Sequence, residues 1–558
     1  MTDPLAPRMR WWGWGVDGHD APLTRNASML LREELGLGGV AALPVALERV
    51  ALAEPALGPA ASAQLAGAVG GGENVRDDRL TRVTHAAGRS YPDLVRLRSG
   101  AGLAAPDAVV YPADHEQVAS VLAVCAEHAI AVVPFGGGTS VVGGVEALRG
   151  SLSAVVSLDL ARLSGLHDVD ARSQLATFGA GTLGPDVERL LGPHGLTLGH
   201  FPQSFEFSTV GGWAATRSAG QASTGYGRID ELVVALRAAT PSGELSTLPV
   251  PASAAGPDLR ELLLGSEGVL GVITEVTLRV RPRPQHGHYD AYAMPGFAAG
   301  AEALRELEQA GAAPDVARLS DEEETRLSLA LASHPAATRL LRAYMNARAG
   351  RSRRAGDSRD ERPAGCMTIL GFDGTSAEIT LRRAGARRIL RRHGAVALGG
   401  APGAAWANGR FHGAYLRDVL MSRGVLVETL ETATTWTELT RLHRDVRAAL
   451  GTALAQRATP AVVMCHVSHL YPTGASLYFT FLARQQMGAE LAQWQAAKQA
   501  ASEAISAAGA TITHHHAVGR DHASWLPAEV GALGVAALQA VKARVDPTGI
   551  MNPGKLIP

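Results

Sequence analysis

The chain has 558 residues, 46% apolar and 19% charged, and a net charge of −1. That length implies two or three domains, and the near-zero charge excludes a general field for nucleic acid. The scattered Cys125, Cys366 and Cys465 exclude a disulfide framework and a CxxC zinc site, and fit a reducing compartment.

The first twenty residues lack the apolar core of a secretory signal. Trp11, Trp12 and Trp14 are expected to pack against the protein itself rather than a membrane interface. The Ala/Gly-rich stretch 58–75 reads as a linker or a loosely held helix pair. From about 106 the pattern is α/β. "DAVVYP" is a short strand, and "DHEQVASVLAVCAEH" is a helix with Asp114 as its cap and Gln117 three residues on. "IAVVPF" is a buried strand running into "GGGTS"; strands follow at 154–160 and 174–181. "ELVVALRAATPSGELSTL" is a hairpin turning at Pro241-Ser242-Gly243. A short helix, a glycine loop and a strand then lead to a Pro-punctuated boundary near 284.

The region 285–525 shows long helical stretches and a basic insert with eight arginines between Arg339 and Arg362. Such a run reads as a solvated loop, with anionic lipid heads as the alternative partner. No uncharged apolar stretch of about 18 residues occurs, so no spanning helix is expected. Near the end stands "TITHHHAVGRD". Adjacent side chains cannot all face one site, so at most two of these histidines act together, and His514 reads as the structural one. A contiguous triplet cannot easily supply three tetrahedral ligands, so no metal is expected.

Three small-residue segments carry more information. In "PFGGGTSVVGG" (134–144), three glycines let successive N–H groups turn inward, and Thr139 and Ser140 add hydroxyls: an anion-binding nest. No Gly-Lys-Ser/Thr follows, so it is not a nucleoside triphosphate loop. The stretch 202–233 lets backbone lie against a large flat ligand, and "GSEGVLGVITEV" (265–276) brings backbone to the same place.

These three segments in this order, with the closing "VKARVDPTGIMNPGKLIP", resemble the vanillyl-alcohol oxidase/PCMH flavoprotein superfamily. More narrowly the chain resembles the alkyldihydroxyacetonephosphate synthase (alkylglycerone-phosphate synthase) family. The matching pieces are "RWWGWG", "PFGGGTSV", "FEFSTVGGWAATRSAG", "GSEGVLGVITE", "YLRD", "VETLETATTW", "GASLYFTF" and "THHHAVG". The resemblance implies an α+β fold: a PCMH-type FAD domain (101–284), a cap over the flavin (285–525), an N-terminal helical extension (1–100), and a C-terminal segment (526–558) returning to the FAD domain. It places Pro134, Phe135, Gly136, Gly137, Gly138, Thr139, Ser140 and Gly144 at the FAD pyrophosphate. Ser208, Thr209, Gly211, Gly212, Thr216, Arg217 and Ser218 would lie along the ribityl chain and ring. Glu267, Gly268, Gly271 and Ile273 would flank the adenine side. Related covalent flavoproteins often carry a His at 136–138; here all three are Gly, so dissociable FAD is expected.

Two chemistries compete. Hydroxy-acid dehydrogenases of this superfamily, acting on compounds such as D-lactate or glycolate, carry GHxGDGNxH and EHG, whose histidines bind a metal or substrate. Here the second His position is Tyr478, the first reads as Tyr471, and EHG has become His515-His516-Ala517; His466 and His469 do not restore the spacing. In the synthase family acyl-dihydroxyacetone phosphate exchanges its acyl group for a fatty alcohol through an adduct at flavin N5, without net redox change. There Tyr478 matches a general acid, His515 and His516 the active histidines, Arg417 a phosphate-binding arginine, and Arg318 an arginine near the flavin edge. A flavin-binding scaffold without turnover is a third reading. Ala517 replaces the family's Gly, and the basic insert is not among the matched pieces. The expected location is cytoplasmic, with peripheral membrane contact and a homodimer as open partners.

Overall fold

The computed structural model describes residue 5 and residues 8–18, 23–37, 42–331 and 365–558; the basic insert lies outside them. In the first α/β unit, Asp114 accepts from Gln117 N (2.8 Å) and starts the helix His115–Glu127. The helix buries Val118, Val121, Leu122 and Cys125, the spacing of one helical face. It packs on the strand Ile130–Phe135, which pairs in parallel with Ala154–Asp159. Ala108–Val110 extends this sheet to four strands with Val75–Arg76 at its edge. In the stretch 58–75, read as a linker or a loosely held helix pair, Pro59–Ala68 is a helix whose Leu65 is fully buried, and it packs on His115–Glu127. Its alanines looked like linker because they allow close helix approach.

A second, five-stranded antiparallel sheet contains Leu166–Asp170, Leu175–Gly179, Val272–Arg279, Val233–Thr240 and Gly243–Ser246, in that spatial order. One apolar cluster joins both sheets. The C-terminal residues return to the first sheet: Ile550 and Met551 run beside Val132, and Asn552 Nδ2 donates to the carbonyls of Gly144 and Glu267.

The third sheet begins at His286. Its order is Val396–Gly399, His286–Met294, Cys366–Gly374, Val316–Ser320, Ala461–Val467, Gly474–Arg484 and Val425–Thr435, with Leu470–Tyr471 pairing onto Gly474–Arg484. The long helical stretches read in this region therefore pack around a central sheet. In Gly474–Arg484 the alternation is visible: Leu477, Phe479 and Phe481 are fully buried, whereas Tyr478 and Thr480 are not. Long helices Leu439–Gln456 and Glu490–Ala507 pack against each other, and the first covers the apolar side of the strands.

The tryptophans do pack inward: Trp14 is buried, its amide donates to Asp418 Oδ2 (2.7 Å), and Arg10 stacks on Trp12. All three cysteines are free and buried. By length and mean hydropathy (1.2) alone Ala523–Val545 is a candidate membrane-crossing segment, but Gly531 (φ 73°, ψ 166°) breaks it into two helical pieces. Its C-terminal end is tied down by Lys542, which donates to Asp546 and to the carbonyls of Val269 and Met551.

Candidate functional site

Strand register assembles the site. Glu431 lies directly opposite Tyr478, Tyr478 opposite His466, and His466 opposite Ser320, two residues from Arg318. Directly opposed residues share a face, so Arg318, His466, Tyr478 and Glu431 form one polar row across four strands. The histidine loop is laid over this row by two backbone contacts, Thr511 N to Ala433 O and His514 N to Glu431 O (each 3.2 Å). His516 meets the Tyr478 ring edge-on at 5.5 Å, and His515 lies 4.8 Å from His516 between ring centroids. On its other side Tyr478 stacks on His466 at 4.8 Å.

Burial sets the protonation states. It pushes the Tyr478 phenol up to about 12, although Thr429 hydrogen-bonds it and Arg417 lies near. The hydroxyl therefore keeps its proton at neutral pH. Burial, then the neighbouring His515, holds His516 well below an ordinary imidazole, so it stays neutral. Burial alone would raise the Glu431 carboxyl, but His515 and His514 override it and hold it well below its usual range.

Two predicted residues are more committed than expected. The Arg417 fork was read as open to phosphate. It is buried, and donates to Glu428 Oε1 (2.9 Å) and the Arg89 carbonyl (3.0 Å). Arg318 donates to Glu324 Oε1 (2.8 Å) beside His466 Nδ1 (3.0 Å). Both carry a buried carboxylate partner because a lone buried guanidinium would be costly.

Three residues escaped the sequence reading, and a fourth, His469, was considered there and set aside. Glu431 was detectable from strand alternation alone. His469, two residues before the Tyr471 position that spacing suggested, turns Nε2 to Glu431 Oε1 at 3.6 Å. The donor atoms of Glu431, His469, His514 and His515 lie within 4.8 Å of one another. A metal-type donor set thus does exist, drawn from separate elements and not from the triplet alone. Its carboxylate and His515 Nδ1 touch directly. His200 is buried edge-on to Trp213, 3.2 Å from Ser218 Oγ. Its Nδ1 has no partner among the described residues, and burial pushes it down to about 3. Lys498 lies buried near His516, Asp521 and Glu428. No local motif marks His200 or Lys498.

The glycine loop fits a dinucleotide phosphate. The amides of Gly137, Gly138, Thr139 and Ser140 donate to no acceptor among the described residues. Gly138 is left-handed (φ 66°), the conformation that turns consecutive amides to one side. The Ser140 hydroxyl accepts from Gly144 N (2.9 Å) and keeps its own proton to donate. Four free donors after a parallel strand suit the FAD pyrophosphate.

The other two segments present backbone, and several side chains read along the cofactor also have protein partners. Ser208 accepts from Trp213 Nε1 (2.7 Å), Thr209 caps the helix Val210–Thr216, and Thr216 donates to Gly212 O. Arg217 is turned to Asp230 and Glu261. These contacts cap and pack a seven-residue helix, and each hydroxyl keeps a further hydrogen-bonding capacity. Gly211 is needed against Ala180. Gly268 sits against the Pro134 ring and Gly271 against the Ala239 carbonyl, so they serve packing. Ile273 is a core residue of the second sheet. Glu267 accepts from Val518 N (2.8 Å) and Gly519 N (2.7 Å), clamping the segment after the histidines to the flavin-side loop.

Residues 106–249 match the FAD binding domain family, and residues 283–556 match the family of FAD linked oxidases, C-terminal domain. An alkyldihydroxyacetonephosphate synthase of Dictyostelium discoideum is 34% identical over 486 residues, 87% of this chain and 79% of the relative. One from Trypanosoma brucei brucei is 32% identical over 492 residues, again 87% and 79%. A solved alkyldihydroxyacetonephosphate synthase structure superimposes with a TM-score of 0.83 at 29% identity, over 98% of each chain.

Proposed function

The chain belongs to the alkyldihydroxyacetonephosphate synthase family, and from that premise we propose how its polar row performs the family's reaction. It is an FAD-dependent enzyme of ether lipid synthesis, exchanging the acyl group of acyl-dihydroxyacetone phosphate for a fatty alcohol. Bound FAD supplies an electron-poor ring beside the substrate carbon. Tyr478 gives its proton to the departing carboxylate oxygen. His516, neutral through burial, takes a proton from substrate C1, with His515 beside it. The incoming alcohol gives its hydroxyl proton back to Tyr478, and His516 returns a proton to C1, which closes the cycle. Arg417 and Lys498 offer positive charge to the substrate phosphate, and Arg318 to charge on the ring edge. The supporting observation is the contact of His516 with the edge of Tyr478, a neutral base and a protonated acid over one strand face.

Purified protein plus acyl-dihydroxyacetone phosphate and a long-chain alcohol is expected to release fatty acid with no electron acceptor consumed. Release that requires an acceptor would favour hydroxy-acid or alcohol oxidation instead. The pH profile follows from the shifts. His516 is the active base above its lowered pKa, so the acid limb lies below pH 6.5. Tyr478 is the active acid below about 12, so no basic limb appears up to pH 9. A kcat that falls between pH 7 and 9 would remove Tyr478 as the acid.

The protein is further proposed to act in the cytoplasm at a membrane surface. Support comes from the segment Leu526–Val545, kinked at Gly531, where Val530 (43%) and Leu533 (83%) on either side of the kink are exposed and no charge occurs between Glu529 and Lys542. The lipid substrate must leave a bilayer, and this face suits its interface. Leu533→Glu with Val530→Glu should cut sedimentation with phospholipid vesicles several-fold and leave turnover of a dispersed substrate unchanged. If the double variant binds vesicles normally but changes from dimer to monomer in light scattering, the face joins two copies instead.

A further inference from the structure

The face at Val530 and Leu533 is apolar, and the cap carries a second exposed surface of opposite character. The helix Ser376–Arg392 packs its inner side on the third sheet through Ile379, Ala386, Ile389 and Leu390. Its 17 residues include six arginines and one glutamate, in a chain whose net charge is −1. Acids on the body hold three of the arginines: Arg382 pairs with Asp315 (2.8 Å), Arg383 with Asp290 (2.7 Å) and Arg392 with Glu306. Two of these acids are already shared. Asp290 also meets Arg387 at 3.5 Å and His288 at 3.2 Å, and Glu306 also meets His393 at 2.7 Å. Arg388 and Arg391 are exposed and have no carboxylate partner among the described residues. Three residues apart, they stand on one side of the helix. Leu381, seven residues before Arg388, shares that side and is 76% exposed. A groove lined by Thr380, Arg383, Ala384, Arg387, Arg388 and Arg391 runs beside them.

Like charges three and four residues apart weaken a helix, so neither helix formation nor packing accounts for this stripe. Resting on the membrane-surface reading above, we propose that the stripe docks the protein on anionic phospholipids, with Arg388 and Arg391 against the headgroup phosphates and Leu381 set between the heads. A bilayer is the partner because the lipid substrate arrives in one, and an anionic leaflet attracts basic side chains that come within about a Debye length of it. Leu381 separates this surface from one built for a soluble polyanion. An exposed leucine beside guanidinium groups gains from the acyl boundary and gains nothing from a phosphate in water. The apolar face at Val530 and Leu533 reads no headgroup charge, and the arginines supply that selectivity.

The test compares binding of the FAD-loaded full chain to vesicles of phosphatidylcholine alone and of phosphatidylcholine enriched in phosphatidylglycerol. Wild type is expected to prefer the enriched vesicles by roughly ten-fold or more, and to lose that preference in about 1 M salt, where the Debye length is about 3 Å. Arg388→Ala with Arg391→Ala should weaken binding to the enriched vesicles roughly 30-fold and leave binding to phosphatidylcholine unchanged. Neither guanidinium is buried or paired, so the flavin spectrum and the melting temperature should stay at wild type. Arg189→Ala with Arg444→Ala removes the same charge from side chains 67% and 72% exposed elsewhere on the molecule. An equal loss in that control overturns the docking face in favour of net charge. Wild-type binding that ignores phosphatidylglycerol, or undiminished binding by the Arg388/Arg391 variant, overturns it outright. Transfer RNA that binds wild type and not this variant, with vesicle binding untouched, overturns it in favour of nucleic acid. The membrane-surface reading fails separately, if the Val530 and Leu533 substitutions leave phosphatidylcholine binding unchanged, and the headgroup preference is still decided by the two vesicle types.

Discussion

Replacing Tyr478 by phenylalanine lowers kcat for fatty acid release by roughly 10²- to 10⁴-fold, the range of a positioned general acid. The effect is chemical because the packing survives. The Tyr478 ring stacks on His466 and meets His516 by its edge, and phenylalanine preserves both. Only the hydroxyl held by Thr429 is lost. Phenylalanine leaves no charge unpaired, so the FAD spectrum and the melting temperature should stay near wild type. KM should change little, since the proton matters only as the acyl oxygen departs. Undiminished release by the variant removes Tyr478 from the mechanism, and a colourless variant would show that the position serves flavin binding.

Gly137→Ala is expected to weaken FAD retention roughly 10- to 100-fold, so that desalted protein comes out pale and turns over little. A Cβ at Gly137 would lie 1.7 Å from the Phe207 carbonyl oxygen and 3.1 Å from Ser208 Cα. Both neighbours are backbone, so no rotamer change relieves the clash. Gly136 is similarly close to Thr209 Oγ1, at 2.3 Å, so the glycine loop and the 207–209 segment interlock. Forcing them apart costs on the order of 1–3 kcal/mol. That turns the free amides away from the pyrophosphate and weakens binding roughly 10- to 100-fold. Flavin absorbance after desalting measures this directly. A variant that remains fully yellow and active would show that the loop does not grip the cofactor.

The two variants separate cofactor from chemistry: one should be yellow and inactive, the other slow because it is pale. Gly195→Ala is a useful contrast. Gly195 is left-handed but meets nothing within 4 Å, so its alanine form should retain FAD.

Much of this was legible in the amino-acid order. The Asp114 cap, the buried strand before "GGGTS" and the hairpin at Pro241-Ser242-Gly243 each depend on residues within a few positions of one another. Local rules reach that far. The eight ordered motifs were enough to indicate the flavin and the family. The long helical stretches read in 285–525 are present, while the sheet they cover was left untraced in the sequence because its strands are non-adjacent in the chain.

What only the tertiary structure decided is who meets whom. Tyr478, Glu431 and the histidine loop are separated by up to 85 positions, and they converge through the register of Val425–Thr435 against Gly474–Arg484. A slip of one residue would send Glu431 to the opposite face. Likewise the sequence named Arg417, Arg217 and Glu267 by motif, yet burial assigned them partners: Glu428, Asp230 with Glu261, and the Val518 and Gly519 amides. Desolvation makes an unpaired buried charge too costly to leave free. Partners are therefore chosen by three-dimensional proximity, which no single stretch of chain records.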